Sequence, residues 1–221
     1  MRLRVAFAIV IGGVAFAIVR LPEVREPANA RHIAHIVILG DSVAHGAGDE
    51  SGRGISGNLG AINLAVNGSR TYDVAKILRG RVATSAVRTA DAVVLSIGGN
   101  DLFGDRLAKL TSIVWPSMMM TRTIGRVDRI VGSIHRINPS ARIYLLGLYN
   151  PYRNASLATF LDRQVATWDS RLIAHFASQP NVDVIRIADL FAFAPRLSSI
   201  DHFHPGREGY ALIAQRIAMT W

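Results

Sequence analysis

Four short segments of this chain of 221 residues carry side chains that can act as nucleophile, base and hydrogen-bond donor. Ser42 offers a hydroxyl, His204 an imidazole that titrates near neutral pH, and Asp201 a carboxylate to orient that ring. Gly68 offers an unobstructed backbone N–H, and Asn100 a neutral side-chain donor, to a developing oxyanion. Together these five residues predict nucleophilic acyl transfer of the serine esterase type.

Each of these residues also has an ordinary structural interpretation when it is taken alone. A serine after Gly-Asp is a common helix N-cap, and Asn67-Gly68 is a frequent turn dipeptide. Asp201 and His204 lie three positions apart, so the carboxylate can reach Nδ1 and leave Nε2 for the nucleophile. It is the combination of residues, more than any one of them, that favours catalysis.

The elements that must position these residues follow from the alternation of short apolar runs with stretches of helical period. The predicted strands are Ile33 to Leu39, Ile62 to Val66, Ala92 to Ile97, Arg142 to Leu148 and Val182 to Ile187. Their nearly continuous valine, isoleucine and leucine predict an α/β fold with a five-stranded parallel sheet covered on both faces. Ser42, Gly68, Asn100 and the Asp201 loop follow the first, second, third and fifth strands, where ligands of such sheets bind.

Helices are predicted between the strands. They span Tyr72 to Arg79, Leu102 to Lys109, Thr123 to Ile137, Ala155 to Ala177 and Gly206 to Thr220. The first crossover, Val43 to Gly60, contains six glycines, which make a regular helix costly. We therefore expect mostly loop in that crossover, and a thin wall beside Ser42.

Four of the motifs resemble blocks I, II, III and V of the SGNH (GDSL) hydrolase family, in the family's order and across most of residues 33 to 219, and a fifth segment, Leu148 to Pro151, is also similar. The matching segments are Gly40-Asp41-Ser42-Val43-Ala44-His45-Gly46, Asn67-Gly68, Gly98-Gly99-Asn100-Asp101-Leu102-Phe103, Leu148-Tyr149-Asn150-Pro151 and Asp201-His202-Phe203-His204-Pro205. They are most similar to the bacterial extracytoplasmic lipase/acylhydrolase branch. The resemblance implies a flavodoxin-like three-layer α/β/α sandwich, Ser42, Asp201 and His204 as catalytic residues, and an oxyanion hole from Ser42, Gly68 and Asn100.

Further residues are weaker candidates for substrate binding. His45 lies close to Ser42 and is expected at the rim of the site, and Asn150 belongs to one of the resembling segments. Trp115 and Met118 lie in an apolar stretch that could line an acyl-binding groove, although ordinary core packing is the simpler interpretation. The proposed chemistry requires no metal and no cofactor.

The formal net charge is +9, and nearly all the cations are arginines. They are scattered, without a run, interleaved aromatics or a nucleic-acid-binding module, so nucleic acid is not the expected partner. A general basic surface, or attraction to anionic envelope polymers or lipid headgroups, fits better. The absence of cysteine excludes thiol catalysis and is compatible with export.

The first residues, Met1 to Arg4, are basic and precede an apolar run from Val5 to Val19. This pattern is typical of an export signal or a membrane anchor, and either predicts an extracytoplasmic catalytic part. We therefore divide the chain into residues 1–31, the signal or anchor plus tether, and residues 32–221, the hydrolase domain.

The expected function is hydrolysis of carboxylic esters, with lipids, lysophospholipids and acylated envelope polysaccharides all open as substrates. Two alternatives remain at this stage. One is a catalytically silent protein on the same fold that binds glycan or lipid. The other is an O-acyltransferase, because acyl transfer to a sugar hydroxyl shares the acyl-enzyme step with hydrolysis.

Overall fold

A computed structural model describes residues 33–103, 117–152, 158–192 and 196–221. Its sheet consists of β1 (Ile36–Gly40), β2 (Ile62–Asn63), β3 (Ala92–Ser96), β4 (Arg142–Leu146) and β5 (Val182–Ile185). All neighbours pair in parallel, in the order β2-β1-β3-β4-β5. This is the flavodoxin-like strand order, so the predicted five-stranded parallel sheet is confirmed.

Eight α-helices lie in the described ranges. They are α1 (Ser42–His45), α2 (Gly54–Leu59), α3 (Thr71–Ile77), α4 (Arg81–Arg88), α5 (Gly99–Phe103), α6 (Ser117–Ile137), α7 (Ala158–Phe176) and α8 (Arg207–Ala218). A 3-10 helix, Ala188–Phe191, follows β5. None of the helices described is long and apolar enough to span a lipid bilayer.

The sheet separates two apolar layers because successive strand side chains point to opposite faces. Val37 and Leu39 of β1 join one cluster, in which α3, α4, α6 and α7 cover the sheet. Ile36 and Ile38 join the other cluster, which includes Ile55 of α2 and α8 residues. Since β1 and β3 are buried along their whole length, they form the centre of a three-layer sandwich.

The first crossover differs from the sequence-based expectation. About half of it is helical, in α1 and α2, and α2 is packed, with Ile55 fully buried in the cluster that contains Ile213 of α8. The glycines instead end the two short helices, with Gly46 and Gly60 in the left-handed conformation at their C-caps. Ser42 therefore has a packed neighbouring element, so the prediction of a thin wall was wrong.

The other differences are in the boundaries. Helix α4 was not predicted, and α6 begins six residues earlier than expected, at Ser117. The predicted signal or anchor with its tether, residues 1–31, lies outside the described residues, as does Trp115.

Candidate active site

Ser42 is the first residue of α1, directly beyond the carboxyl end of β1. This edge of the sheet, between β1 and β3, is where the strand order reverses and where ligands of doubly wound folds bind. The Ser42 side chain is partly exposed. A hydroxyl in this place can meet a substrate from solvent, and the first N–H groups of a helical turn lie beside it.

The turn before Ser42 is held by two neighbours of the serine. Gly40 has φ +136°, and a Cβ there would overlap the Ser96 carbonyl oxygen, so only glycine allows β1 and β3 to approach this closely. Asp41 caps α1, because its Oδ1 accepts hydrogen bonds from the Val43 N–H at 3.1 Å and the Ser96 hydroxyl at 2.9 Å. Burial raises the pKa of Asp41 to about 6, although these hydrogen bonds oppose the rise.

Asp201 and His204 form a carboxylate–imidazole pair at the same edge of the sheet. Asp201 Oδ2 lies 2.7 Å from His204 Nδ1, and Oδ1 accepts hydrogen bonds from the Phe203 and His204 N–H groups, both at 2.9 Å. Burial raises the pKa of Asp201, but the hydrogen bonds from His204 and from the two backbone N–H groups outweigh it, so the net pKa is lowered. The carboxylate thus stays ionised and can fix the ring orientation, which leaves Nε2 for a second partner.

The loop that carries this pair is closed at its base. Leu197 and Pro205 form an antiparallel bridge, and the Ser198 N–H donates to the His204 carbonyl at 2.8 Å. The buried Tyr149 hydroxyl donates to the Phe203 carbonyl at 2.9 Å. These contacts fix the backbone on both sides of the imidazole.

Gly48 brings the Ser42 side of the site against this loop. It lies six residues after Ser42 at φ +82°, and a Cβ there would stand 2.7 Å from His204 Cβ and 3.1 Å from Ser198 Cβ. Within the described residues no hydrogen bond joins Ser42 Oγ to the His204 ring. Such catalytic hydrogen bonds commonly close only when substrate binds.

Gly68 and Asn100 meet beside Ser42. The Val66 N–H donates to the Gly40 carbonyl at 3.1 Å, which holds the Gly68 segment next to the end of β1. Asn100 Nδ2 donates to the carbonyl of Ser69, the residue after Gly68, at 2.9 Å. No atom lies within 4 Å of where a Gly68 Cβ would be, so this backbone faces open space. The Asn100 amide is thus bonded to the segment that contains Gly68, which keeps the two predicted oxyanion-hole residues close together.

A serine and a carboxylate-bound histidine thus lie at the same edge of the sheet, in a chain that also matches a known family. Residues 38–212 match the model of the GDSL-like lipase/acylhydrolase family. The chain belongs to this family. It is therefore a GDSL-type hydrolase that acts on ester bonds.

The similar proteins agree with this fold. The acylhydrolase is 29% identical over 204 residues to an uncharacterized Bacillus subtilis protein, YpmR, a match that covers 83% of this chain and 80% of that one. A lipase from a goat rumen metagenome superimposes with a TM-score of 0.67 at 22% identity, over 84% of this chain and 96% of the lipase. A variant of a Geobacillus acetyl-xylooligosaccharide esterase gives a TM-score of 0.60 at 17% identity, over 84% and 92% of the two chains.

Asp101, the residue after Asn100, fixes α5 of the acylhydrolase to two neighbouring helices. Its side chain, 3% exposed, accepts from the Thr71 N–H at 2.9 Å, from the Thr71 hydroxyl at 2.6 Å and from Arg126 at 3.2 Å. These bonds tie α5 to the start of α3 and to α6. The sequence contained Asp101 within a motif, but nothing in it indicated these partners.

Glu50 is a second positioning residue that sequence reasoning missed. Its Oε1 accepts from the Ser199 N–H and hydroxyl, and its Oε2 accepts from the Arg207 N–H, the first of α8, at 2.9 Å. The backbone N–H groups of Ser199 and Arg207 lower the pKa of Glu50 to about 2. An exposed glutamate in a glycine-rich loop carries no local signal of such a contact.

The weaker substrate-binding candidates fall into three different environments. His45 is exposed at the end of α1, with Nδ1 3.2 Å from the Ala65 carbonyl, a rim position. Met118 is 61% exposed at the start of α6, whereas Met120 is buried in the core. Substrate contacts of His45 and Met118 remain predictions.

Asn150 is different, because it is only 2% exposed and uses its whole side chain within the protein. Nδ2 donates to the Ala158 carbonyl at 3.1 Å and to Asp162 at 3.0 Å, and Oδ1 accepts from the Tyr152 N–H at 2.9 Å. This arrangement braces the connection from β4 to α7. It gives the predicted substrate contact of Asn150 no support.

Proposed function

We propose that this acylhydrolase is a serine esterase that forms an acyl-enzyme on Ser42 and acts outside the cytoplasm. The observation that carries the proposal is the 2.7 Å contact between Asp201 and His204, in a loop packed against the segment that follows Ser42. An imidazole bound in this way through Nδ1 has its other nitrogen free to accept a proton.

In the acylation step, His204 Nε2 takes the proton of the Ser42 hydroxyl while Oγ attacks the carbonyl carbon of the ester. The carbonyl π electrons move to oxygen, and the N–H groups of Ser42, Gly68 and the Asn100 amide stabilise the oxyanion. When the tetrahedral intermediate collapses, His204 protonates the leaving alkoxide. Asp201 stays ionised and stabilises the imidazolium throughout.

Deacylation repeats the same steps with water. His204 removes a proton from a water molecule that attacks the acyl carbon, and Ser42 leaves as the alcohol after it regains its proton. The partly exposed position of Ser42 supports access of water to the acyl-enzyme.

Two ester classes are supported by different features. The exposed Met118 at the start of α6 would suit an acyl chain. The net charge of +9, together with the basic and apolar amino-terminal pattern of a signal or anchor, would suit an acylated anionic component of the cell envelope. The structural neighbours include a lipase and an acetyl-xylooligosaccharide esterase, so this fold is found both in a lipase and in an esterase of an acetylated carbohydrate.

The test is the hydrolysis of p-nitrophenyl esters from acetate to long acyl chains by the full chain, with Ser42→Ala as the control. We expect a rate that disappears in the variant, and labelling of Ser42 by a fluorophosphonate. The acyl-length preference then separates the two ester classes. An equal rate in the Ser42→Ala chain, or no rate on any ester, would contradict the serine mechanism.

A further inference from the structure

A groove of about 1040 Å³ runs between α3 and α6, on the face of the sheet opposite α8. We name it the arginine groove, because five arginines line it. They are Arg70, Arg79, Arg126, Arg129 and Arg136. Its floor is apolar and includes Ala75 and Ile130. An apolar floor can contact the backbone of an extended anionic chain, while the cations above it bind the anionic groups of that chain.

Two residues that line the arginine groove are close in sequence to the predicted oxyanion-hole residues. Arg70 lies two residues after Gly68, and Asp101 directly follows Asn100. Because α3 and α6 both follow strands and begin near the carboxyl edge of the sheet, the groove then runs away from that edge. From Arg126 to Arg136 it extends about 15 Å along α6. A chain whose ester lies at Ser42 can therefore continue into the groove.

The cations of the groove outnumber its acids, and both acids already have partners. Asp101 binds Thr71 and Arg126, while Asp128 accepts from Gln179 at 2.7 Å and pairs with His175 at 3.4 Å. Among the ion pairs of the described residues, none engages Arg79, Arg129 or Arg136. Arg136 donates one hydrogen bond, to the nearby Ser133 hydroxyl at 2.7 Å. Within the described residues no carboxylate pairs with these three guanidinium groups, so each can still bind an anion.

The basic surface continues beyond Arg79. This residue also lines a second depression, of about 800 Å³, between α4 and the edge of β2. Arg81 and Arg88 line it as well, and no acidic side chain does so within the described residues. The two depressions therefore share Arg79 and form one basic surface, which is longer than the binding site of a single phosphate or carboxylate group.

The geometry points to a substrate that is a linear polyanion, with phosphate or carboxylate groups repeated along its length and acyl esters attached to it. This inference rests on the proposed esterase function and names its substrate class. Guanidinium groups bind both kinds of anion through paired hydrogen bonds. A concave, elongated distribution of arginines fits a polymer better than a flat bilayer surface, which would favour cations spread over a convex face.

The experiment measures binding of fluorescein-labelled inorganic polyphosphate and fluorescein-labelled polygalacturonate to the full chain by fluorescence anisotropy. The groove variant is Arg129→Glu with Arg136→Glu. The matched control is Arg122→Glu with Arg163→Glu, which changes the same charge at exposed positions outside the groove lining. Circular dichroism melting checks that both variants fold.

We expect the groove variant to weaken polyanion binding at least about tenfold and the control less than about threefold, because neither control side chain lines the groove. Tighter binding of polyphosphate or of polygalacturonate would identify the repeated group as phosphate or carboxylate. Added salt should weaken wild-type binding more steeply than that of the groove variant.

The activity arm compares acetate release from O-acetylated polygalacturonate with release from neutral O-acetylated xylan. Wild type should release acetate faster from the anionic polymer than from xylan. In the groove variant the ratio of these two rates should fall about tenfold. Equal weakening in both variants, no polyanion binding, or groove-dependent binding to phosphatidylglycerol vesicles alone would overturn the inference. Failure of the esterase proposal is separate, since it appears as loss of Ser42-dependent p-nitrophenyl acetate hydrolysis while polyanion binding persists.

Discussion

Glu50 Oε1 accepts hydrogen bonds from both the backbone N–H of Ser199, at 2.7 Å, and its hydroxyl, at 3.0 Å, although 149 residues separate them in the chain. Ser199 lies two positions before Asp201. The first crossover, which follows the proposed nucleophile Ser42, therefore holds the loop that carries the proposed base His204. Since the pKa of Glu50 is lowered to about 2, this carboxylate is ionised at any pH at which an esterase works.

The first prediction is that Glu50→Ala slows ester hydrolysis while the fold persists. The variant loses the bonds to Ser199 and Arg207, so His204 is less well placed, and we expect kcat/KM to fall about 10- to 100-fold. The kcat/KM of Glu50→Gln should lie between those of wild type and Glu50→Ala, because the glutamine amide keeps only one acceptor oxygen. Fluorophosphonate labelling of Ser42 and thermal melting, measured together, separate displacement of the base from unfolding.

The matched control for Glu50 is Glu208→Ala. Glu208 is exposed and pairs with Arg196 at 3.4 Å, a surface contact that contributes little. If Glu50→Ala and Glu208→Ala label and hydrolyse equally well, Glu50 does not position the catalytic loop.

The second prediction concerns Gly48→Ala, which we expect to reduce kcat strongly. The added Cβ would lie 2.7 Å from His204 Cβ, so either the imidazole or the crossover must shift. Gly52→Ala is the control, because it lies in the same loop at φ +67° with no atom within 4 Å of its Cβ position. Both carry the left-handed backbone cost of about 1 kcal/mol, whereas only Gly48→Ala adds the clash. Equal activity in the two variants would contradict the assigned contact.

These contacts show how far the sequence could predict the site. The five strands were predictable, because strands buried on both faces of a parallel sheet consist of continuous apolar runs. The residues that follow them were predictable as site candidates, because the carboxyl ends of parallel strands meet at one edge. The partners of Glu50 and Gly48 were not, because each depends on a loop about 150 residues away. The sequence also contained no sign that the Asn150 amide donates to two α7 residues, although these lie only 8 and 12 residues away.

The third prediction is a pH-dependent loss of stability caused by Asp41. Its pKa is raised from 3.8 to about 6 by burial, so the folded chain binds this proton more tightly than the unfolded chain does. The stabilisation is complete below about pH 4 and is lost as the pH rises past 6, a change of about 3 kcal/mol.

Urea unfolding of wild type and Asp41→Asn across this pH range tests the effect. The difference between the two chains cancels the titration of other carboxylates. We expect wild type to lose stability relative to Asp41→Asn as the pH rises, because asparagine keeps an acceptor for Ser96 and Val43 but cannot ionise. A pH-independent difference would show that burial does not raise the pKa of Asp41.

The fourth prediction separates two asparagines that the sequence placed together as candidates. Asn100→Ala removes an oxyanion donor, so kcat should fall about 10²- to 10³-fold with little change in KM. Asn150→Ala instead removes three internal hydrogen bonds from a buried site, so the free energy of unfolding should fall by about 1 to 3 kcal/mol. The folded fraction of Asn150→Ala should keep most of the wild-type kcat. Steady-state kinetics and urea unfolding on both variants decide the matter, and a reversed pattern, with activity lost in Asn150→Ala and stability lost in Asn100→Ala, would exchange the two roles.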